Sequence, residues 1–448
     1  MHMKLFMLIN FVYETAIKRR KMLEYRAFLD KSQWWPPEDH RMHQLKNVQR
    51  LVAHAFEHVP YWRETSQRLG LTHQDIKSLD DIRKLPIIDK KDIRANKDRM
   101  IADNWRGKTW SKSTGGSTGI PLHLDYTPDS YDWRMAISQR GYGWAKCEPG
   151  RKVGYLWSVA IGEETFFHKI KATLHDMLLG RKMFNLFRLD SKLMDRCVQY
   201  INRARPEGMI GYTTALYAFA KYVKQNHIKL LSVPAVVTGA ERLYPYQREL
   251  IEEVLGAKVF NSYGCREFML IASECDRHEG LHVSAENLLV ELLKDGEPVR
   301  PGEIGEVVVT DLHNYGMPFI RYRTGDLAVK SERLCSCGRG LPLIDDVEGR
   351  TLDTIRACDG RMISGVFFPH LMKELKGIER FQVIQDKPDH LEIKIIRNDL
   401  FTDAELQFMK NEILKTVGAE MRIDLTYVDD ILLTATGKFR VTISQLEQ

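Results

Sequence analysis

The sequence predicts an α/β protein: a large domain over residues 1–348 with mixed and parallel sheets and a β subdomain, then a small α+β domain over residues 349–448. Three observations carry this. Between residues 122 and 262, short apolar strands alternate with helical stretches of about 10–15 residues, the pattern of βαβ units around a largely parallel sheet. From Asn287 the apolar period changes to two, as in antiparallel strands. The last stretch of about 100 residues has its own helix–strand–strand–helix–strand order, long enough for a separate unit. At 448 residues, the chain exceeds one ordinary core.

Residues 1 to about 100 read as helical, with Trp34-Trp35-Pro36-Pro37 breaking one helix from the next. Leu45, Val48, Leu51, Val52 and Ala55 fall at helical spacing and form an ordinary core-facing stripe. The first 50 residues hold ten Lys/Arg against five Asp/Glu, so +5 of the formal +6 sits there. Leu5, Leu8 and Val12 beside Lys18-Arg19-Arg20-Lys21 suit either an anionic membrane surface or a solvated helix packed on the body. No apolar run reaches the roughly 18 residues of a membrane span, and residues 5–12 lack a signal cleavage site, so a cytoplasmic protein is expected. No basic–aromatic module recurs, which argues against nucleic acid. Seven cysteines, an odd and small number for this length, argue against a disulfide scaffold.

The strands continue in order: residues 122–126, 152–157, 209–212, 233–237 and 258–262, with helices at 131–142, ending at 223, and at 246–255. Ligands of such sheets bind beyond the carboxyl ends of the strands. Gly211-Tyr212-Thr213, Thr238-Gly239-Ala240-Glu241 and Tyr263-Gly264-Cys265-Arg266-Glu267 therefore surround one expected pocket. Residues 289–293 and 305–310 read as antiparallel strands, and residues 366–375, 381–384, 390–396, 403–417 and 422–428 as the elements of the last domain.

Ser113-Thr114-Gly115-Gly116-Ser117-Thr118-Gly119 precedes this alternation. Three glycines and four hydroxyls suit a cradle for phosphate oxygens, and equally a flexible Gly/Ser loop. It is not a Walker loop: the nearby Gly107-Lys108-Thr109 has Ala102 where the first Walker glycine would stand.

This loop, Tyr263-Gly264-x-x-Glu267, Tyr322-Arg323-Thr324-Gly325-Asp326, Gly349-Arg350 and Gly437-Lys438 occur in one order. In that order they resemble the adenylate-forming superfamily of acyl-CoA synthetases, adenylation domains and luciferases. The form of the loop, Gln33-Trp34-Trp35 and Val59-Pro60-Tyr61-Trp62 are most similar to its phenylacetate-CoA ligase branch, and within it to relatives from capsular-polysaccharide gene clusters. The resemblance covers essentially the whole chain and implies an adenylate-forming large domain with a mobile C-terminal lid.

The same resemblance implies an ATP-dependent ligase that joins a small carboxylate to AMP and passes the acyl group to CoA or an amine, with surface-polysaccharide synthesis as the setting. Residues 113–119 would hold the departing phosphates, and Glu267 would ligate Mg²⁺. Thr238, Gly239, Ala240, Glu241 and Tyr263 would form the adenine pocket, with Ser262 and Gly264 also binding the nucleotide. Asp326 would bind the ribose, Arg350 ribose or phosphate, and Tyr212 would lie near the acyl group. Lys438 would bridge carboxylate and phosphate as the catalytic cation. Each has a plain structural reading beside it: a surface salt bridge for Glu267, a turn for Asp326, a linker charge for Arg350, a core tyrosine for Tyr212 and a tail lysine for Lys438. The hinge position after Gly-Arg, usually Asp or Lys, is Leu352 here with Asp353 next, so the second half-reaction is less firmly implied than the first.

Two short clusters, Cys275-x-x-His278 with His282 and Cys335-x-Cys337-Gly338, have thiolate and imidazole ligands suited to tetrahedral Zn²⁺. The expected four are Cys275, His282, Cys335 and Cys337, with His278 as substitute for His282. Four protein ligands leave no position for water, so the role would be structural; unrelated free thiols are the plain alternative. Two other functions stay open: an adenylyltransferase that leaves AMP on its product, and a non-catalytic scaffold. The acid, the acceptor and the oligomeric state are not specified by these motifs.

Overall fold

The structure is a computed structural model, described here for residues 3–113, 122–157, 166–185, 190–347, 354–365, 367–372, 374–431 and 441–446. Among these residues the large sheet has twelve strands. Five are parallel neighbours, in the spatial order Arg181–Asn185, Val153–Trp157, Gly208–Tyr212, Ala235–Gly239 and Lys258–Cys265. Gly208–Tyr212 and Ala235–Gly239 are buried along their whole length, as expected of strands covered on both faces. The covering helices present apolar stripes. Ser191–Ala204 buries Leu193, Met194, Cys197 and Ile201, while Thr213–Gln225 buries Ala215, Leu216, Phe219, Ala220 and Val223.

From Lys258–Cys265 the sheet continues antiparallel through Met269–Glu274, Leu281–Val283, Leu343–Val347, Tyr322–Lys330, Ile304–Asp311, Leu288–Lys294 and Glu297–Pro298. This is the change of period expected from residue 287, beginning nearly 20 residues earlier. A separate four-stranded sheet follows: Arg422–Tyr427, His390–Arg397, Ile378–Lys387 and Thr442–Ser444. Helix Asp403–Val417 packs on it through Met409 and Ile413, and the apolar cluster runs on into helix Thr213–Gln225 of the larger unit. The expected boundary near residue 348 lies outside the described residues.

Helix Pro128–Trp144 lies across the antiparallel half. It starts where Thr127 accepts a hydrogen bond from Ser130 N (3.1 Å) and Pro128 occupies the first turn. Two of its arginines are buried, and each meets a buried carboxylate: Arg134 with Asp311 and Arg140 with Glu286, both at 2.6 Å. Glu286 also accepts from Ser32 Oγ (2.7 Å), which ties the N-terminal helices to the same charge. Breaking such a pair by removing one partner leaves a buried charge, at a cost of about 3–5 kcal/mol.

Trp133 of this helix stacks flat on His313, with centroids 4.1 Å apart and planes at 1°. Burial pushes the His313 pKa down to about 4 from an ordinary 6.5, so the ring is neutral and donates from Nε2 to Glu286 O (3.0 Å). A histidine whose folded pKa is depressed contributes stability that is whole above its unfolded pKa and lost as pH falls towards its folded one. Resistance to unfolding is therefore expected to decline from pH 6.5 to about 4, by up to about 3 kcal/mol from His313. Buried His40 and half-buried His43, also depressed by burial, add to the same slope. Urea unfolding followed by tryptophan fluorescence across this window checks it: His313→Phe is expected to flatten the slope, and an unchanged slope would refute the assignment.

Candidate functional site

The strand Lys258–Cys265 pairs in parallel with one neighbour and antiparallel with the other. At its carboxyl end a cavity of about 770 Å³ opens, bounded by Tyr212, Gly239, Tyr263, Glu267 and Asp326. The segments expected to share one pocket do share it.

Tyr263 reaches across to strand Tyr322–Lys330, where its hydroxyl donates to Asp326 Oδ2 (3.0 Å). Burial and the Asp326 carboxylate push the Tyr263 pKa well up, so the phenol remains a donor. Asp326 is placed by its own N–H, which donates to Thr324 Oγ1 (3.1 Å). Ser262 lines the cavity and donates to Thr238 O (2.7 Å). Ala240 takes a left-handed φ of 66°, and the Glu241 carboxylate that follows accepts from Thr214 N (2.8 Å) and Thr214 Oγ1 (2.6 Å). Glu241 thus fastens this loop to the start of helix Thr213–Gln225. Tyr212 meets Trp157 edge to face at 4.6 Å, an aromatic corner on the parallel side of the cavity.

Glu267 is buried. Tyr322 Oη donates to its Oε1 (3.1 Å), and Lys90 Nζ lies 3.8 Å from the same oxygen. Burial would push the carboxyl pKa up, but Lys90 and the hydrogen bonds outweigh it, so Glu267 lies below the ordinary carboxylate value and is ionised. Lys90 was not singled out in the sequence. It gets here because Ile88 adds a rung to strand Tyr322–Lys330, its N–H donating to Arg321 O (3.0 Å) and its O accepting from Arg323 N (2.8 Å). Ser113 is at the same place: its carbonyl accepts from Arg266 Nη1 (3.0 Å). Thr114, Gly115, Gly116, Ser117, Thr118, Gly119, Arg350, Leu352, Asp353 and Lys438 lie outside the described residues.

The cysteine and histidine clusters converge on the far side of helix Pro128–Trp144. The ligand atoms of Cys275, His282, Cys335 and Cys337 all lie within 4.8 Å of one another. Cys275 Sγ and Cys335 Sγ are 3.6 Å apart, and Cys337 Sγ and His282 Nε2 3.5 Å. His278 is elsewhere, its Nδ1 3.2 Å from Glu274 Oε2, so the substitute ligand is set aside by geometry. Burial, with Arg339 and Arg140 nearby, pushes the His282 pKa down to about 4 and leaves the ring free to offer a lone pair. Backbone N–H groups of Arg277 and Arg339 point at Cys275 Sγ and Cys337 Sγ, at 3.5 and 3.4 Å. Arg339 then lies between the rings of Trp34 and Trp144, and its Nε donates to Gln33 Oε1 (2.8 Å). The Gln33-Trp34-Trp35 segment is thus the clasp that holds the N-terminal helices to this knuckle.

The CapK C-terminal domain family matches residues 355–445. Phenylacetate-coenzyme A ligase of Thermus thermophilus is 26% identical over 404 residues, covering 87% of this chain and 86% of its own. Protein CapK of Staphylococcus aureus is 24% identical over 394 residues, covering 86% and 85%. Along most of its length the chain is similar to the phenylacetate-CoA ligase and CapK-like branch of adenylate-forming ligases. Its fold is shared with 2-hydroxyisobutyryl-CoA ligase in complex with 2-HIB-AMP and CoA, at a TM-score of 0.59 and 19% identity over 92% of this chain and 91% of the other.

In this chain the site depends on a close backbone approach. The pairing of Lys258–Cys265 with Met269–Glu274 slips between Tyr263 and Gly264. A Cβ at Gly264 would stand 1.8 Å from Met269 O, a backbone atom that cannot move aside alone. Gly264→Ala is expected to lower the melting temperature by several degrees or prevent soluble expression, read by differential scanning calorimetry; a wild-type melting curve would refute the packing.

Proposed function

We propose that this chain activates a small carboxylic acid with ATP and then transfers the acyl group to the thiol of CoA. The observation that carries it is the convergence of Tyr263, Asp326, Glu267 and Tyr212 on one cavity at the strand ends. A carboxylate oxygen of the acid attacks the α-phosphorus of ATP and pyrophosphate leaves. The thiol sulfur then attacks the acyl carbon and AMP departs. Asp326, an acceptor held by Thr324 and Tyr263, suits two ribose hydroxyls. Glu267, ionised and a hard oxygen donor, fits Mg²⁺, which would neutralise charge on the phosphates. Tyr212 and Trp157 wall the side where the acyl group would lie. Residues 113–119 would supply backbone donors to the phosphates, and Lys438 the positive charge that stabilises the crowded transition state. The CapK likeness supports, as setting, the attachment of an acyl group to a surface polysaccharide.

ATP–pyrophosphate exchange with Mg²⁺ and a panel of acids tests this. The wild-type chain is expected to give acid-dependent exchange. Lys438→Ala is expected to lose it by at least about 100-fold, and Glu267→Gln by about 10- to 100-fold with a raised Mg²⁺ requirement, the scale of losing one preorganised charge contact. Undiminished exchange in Lys438→Ala would refute its role. A stable AMP-bearing product without a thioester would instead select an adenylyltransferase.

We further propose that Cys275, His282, Cys335 and Cys337 bind one structural Zn²⁺. Zn–S bonds of about 2.3 Å and Zn–N bonds of about 2.0–2.1 Å in a tetrahedron separate the ligand atoms by about 3.5–3.8 Å. The Cys275–Cys335 and Cys337–His282 separations, 3.6 and 3.5 Å, have that size. Elemental analysis is expected to give about one zinc per chain. Cys335→Ser, or a strong chelator, should remove it, lower thermal stability and change the fluorescence of Trp34 and Trp144. Purified chain without metal, and equally stable after Cys335→Ser, would refute the site.

A further inference from the structure

The cavity does not end at Tyr212 and Trp157. It continues past Ser138 and Gln139 of helix Pro128–Trp144 to a wall made by the N-terminal segment and helix Phe166–Leu178, with Asn10, Glu14, Arg20 and His175 facing it. These polar groups stand beside Met22 and Leu179, and an irregular backbone places two of them. Residues Tyr13–Ile17 form a π-helical turn, with Lys18 N donating to Tyr13 O (2.8 Å). Arg19 then takes a left-handed φ of 52°, and Arg20 N closes back on Glu14 O (2.8 Å). Such widened turns are frequent at functional sites because they re-aim side chains.

The result is that Glu14 and Arg20 stand together at the cavity end. Arg20 Nη1 is 3.6 Å from Glu14 Oε2, and its Nε is 3.8 Å from Asp132 Oδ1. Glu14 is 7% exposed, and its Oε2 has no hydrogen-bond donor among the described residues. Burial holds its pKa above the ordinary carboxylate value although the Arg20 guanidinium pulls it down. An arylacetate that set its ring against Glu14 would leave that oxygen only the Arg20 cation at 3.6 Å, whereas an O–H or N–H on the acid would give it a donor.

We propose that the acid taken by this site is a polar one, carrying O–H or N–H donors at the end remote from its carboxylate, and that Glu14 accepts from them while Arg20 fixes Glu14. This rests on the ligase reading above and names its substrate class. Hydroxyl and ammonium donors share the chemistry, so both are tried. ATP–pyrophosphate exchange is measured with glucuronate, 6-aminohexanoate, hexanoate and phenylacetate, for wild type, Glu14→Gln and Glu14→Leu, with near-UV circular dichroism attesting the fold of each.

At least one of the two polar acids is expected to exceed hexanoate and phenylacetate by tenfold or more in kcat/KM. Glu14→Leu should cut that acid by tenfold or more, chiefly through KM, and raise hexanoate or phenylacetate. In Glu14→Gln, loss confined to 6-aminohexanoate identifies an ammonium partner, and retained glucuronate a hydroxyl partner. Preference for the apolar acids in wild type, or the same acid ranking in wild type and Glu14→Leu, overturns the inference and leaves the ligase reading standing. Silence with every acid overturns both.

Discussion

One strand sets the site. Lys258–Cys265 is the last of the parallel strands and the first of the antiparallel ones, so its carboxyl end borders both kinds of neighbour. The parallel side contributes the loop after Ala235–Gly239 and the aromatic corner of Tyr212 and Trp157. The antiparallel side contributes Asp326 and Tyr322. Neither half alone carries both the Asp326 carboxylate and the aromatic corner. Gly264 is the point of contact, because the chain must turn back against its own next strand there. The bonds Tyr263–Asp326 and Tyr322–Glu267 then fix the two halves relative to each other across the cavity.

Buried charge makes this frame stiff. Helix Pro128–Trp144 forms one side of the cavity and is held from behind by Arg134–Asp311 and Arg140–Glu286. Such pairs contribute little net stability compared with apolar packing, but a shifted helix would strand four ions in the core. They act as register pins. Glu286 extends the pinning to Ser32, and the Arg339–Trp34–Trp144 stack extends it to the Cys/His knuckle. The N-terminal helices are thereby clamped at one end. Their other end, residues 10–20, can then serve as a fixed wall of the cavity.

Much of this was legible in the sequence because the signals were local. βαβ alternation, a glycine after a strand and a Cys-x-Cys-Gly knuckle are all written within a few neighbouring residues. Choosing between His278 and His282 was not local: both lie near Cys275, and only the antiparallel return of Leu343–Val347 onto Leu281–Val283 decides which ring faces Cys337. Strands Arg181–Asn185 and Met269–Glu274 and helix Ser191–Ala204 were passed over. Arg181–Asn185 is a half-exposed edge strand with little apolar period, whereas Ser191–Ala204 has a clear stripe in Leu193, Met194, Cys197 and Ile201 that was there to be read. Lys90 looked like one more cation of a Lys/Asp-rich helix, and nothing nearby reveals a carboxylate 177 positions later in the chain.

The N-terminal segment shows what composition leaves open at such a place. Its excess of positive charge and its apolar residues suited either an anionic membrane surface or a solvated helix packed on the body. Phe6, Asn10 and Glu14 are buried, while Phe11 and Val12 face outwards. A regular helix would present positions 10 and 14 on one face and leave Arg20 well round the axis. The π turn and the left-handed Arg19 bring Arg20 back beside Glu14, so the pair exists only because the backbone departs from the regular period. Strain of this kind persists where the surroundings hold it, and here Asp132 takes both Arg20 and the N–H of Lys21 (2.9 Å). The side of the cavity that carries Asp326 and Glu267 is thus made from sheet ends, and the wall that carries Glu14 and Arg20 from an irregular segment. In the proposed reading, acid selectivity can change at that wall without disturbing the bonds that place Asp326 and Glu267.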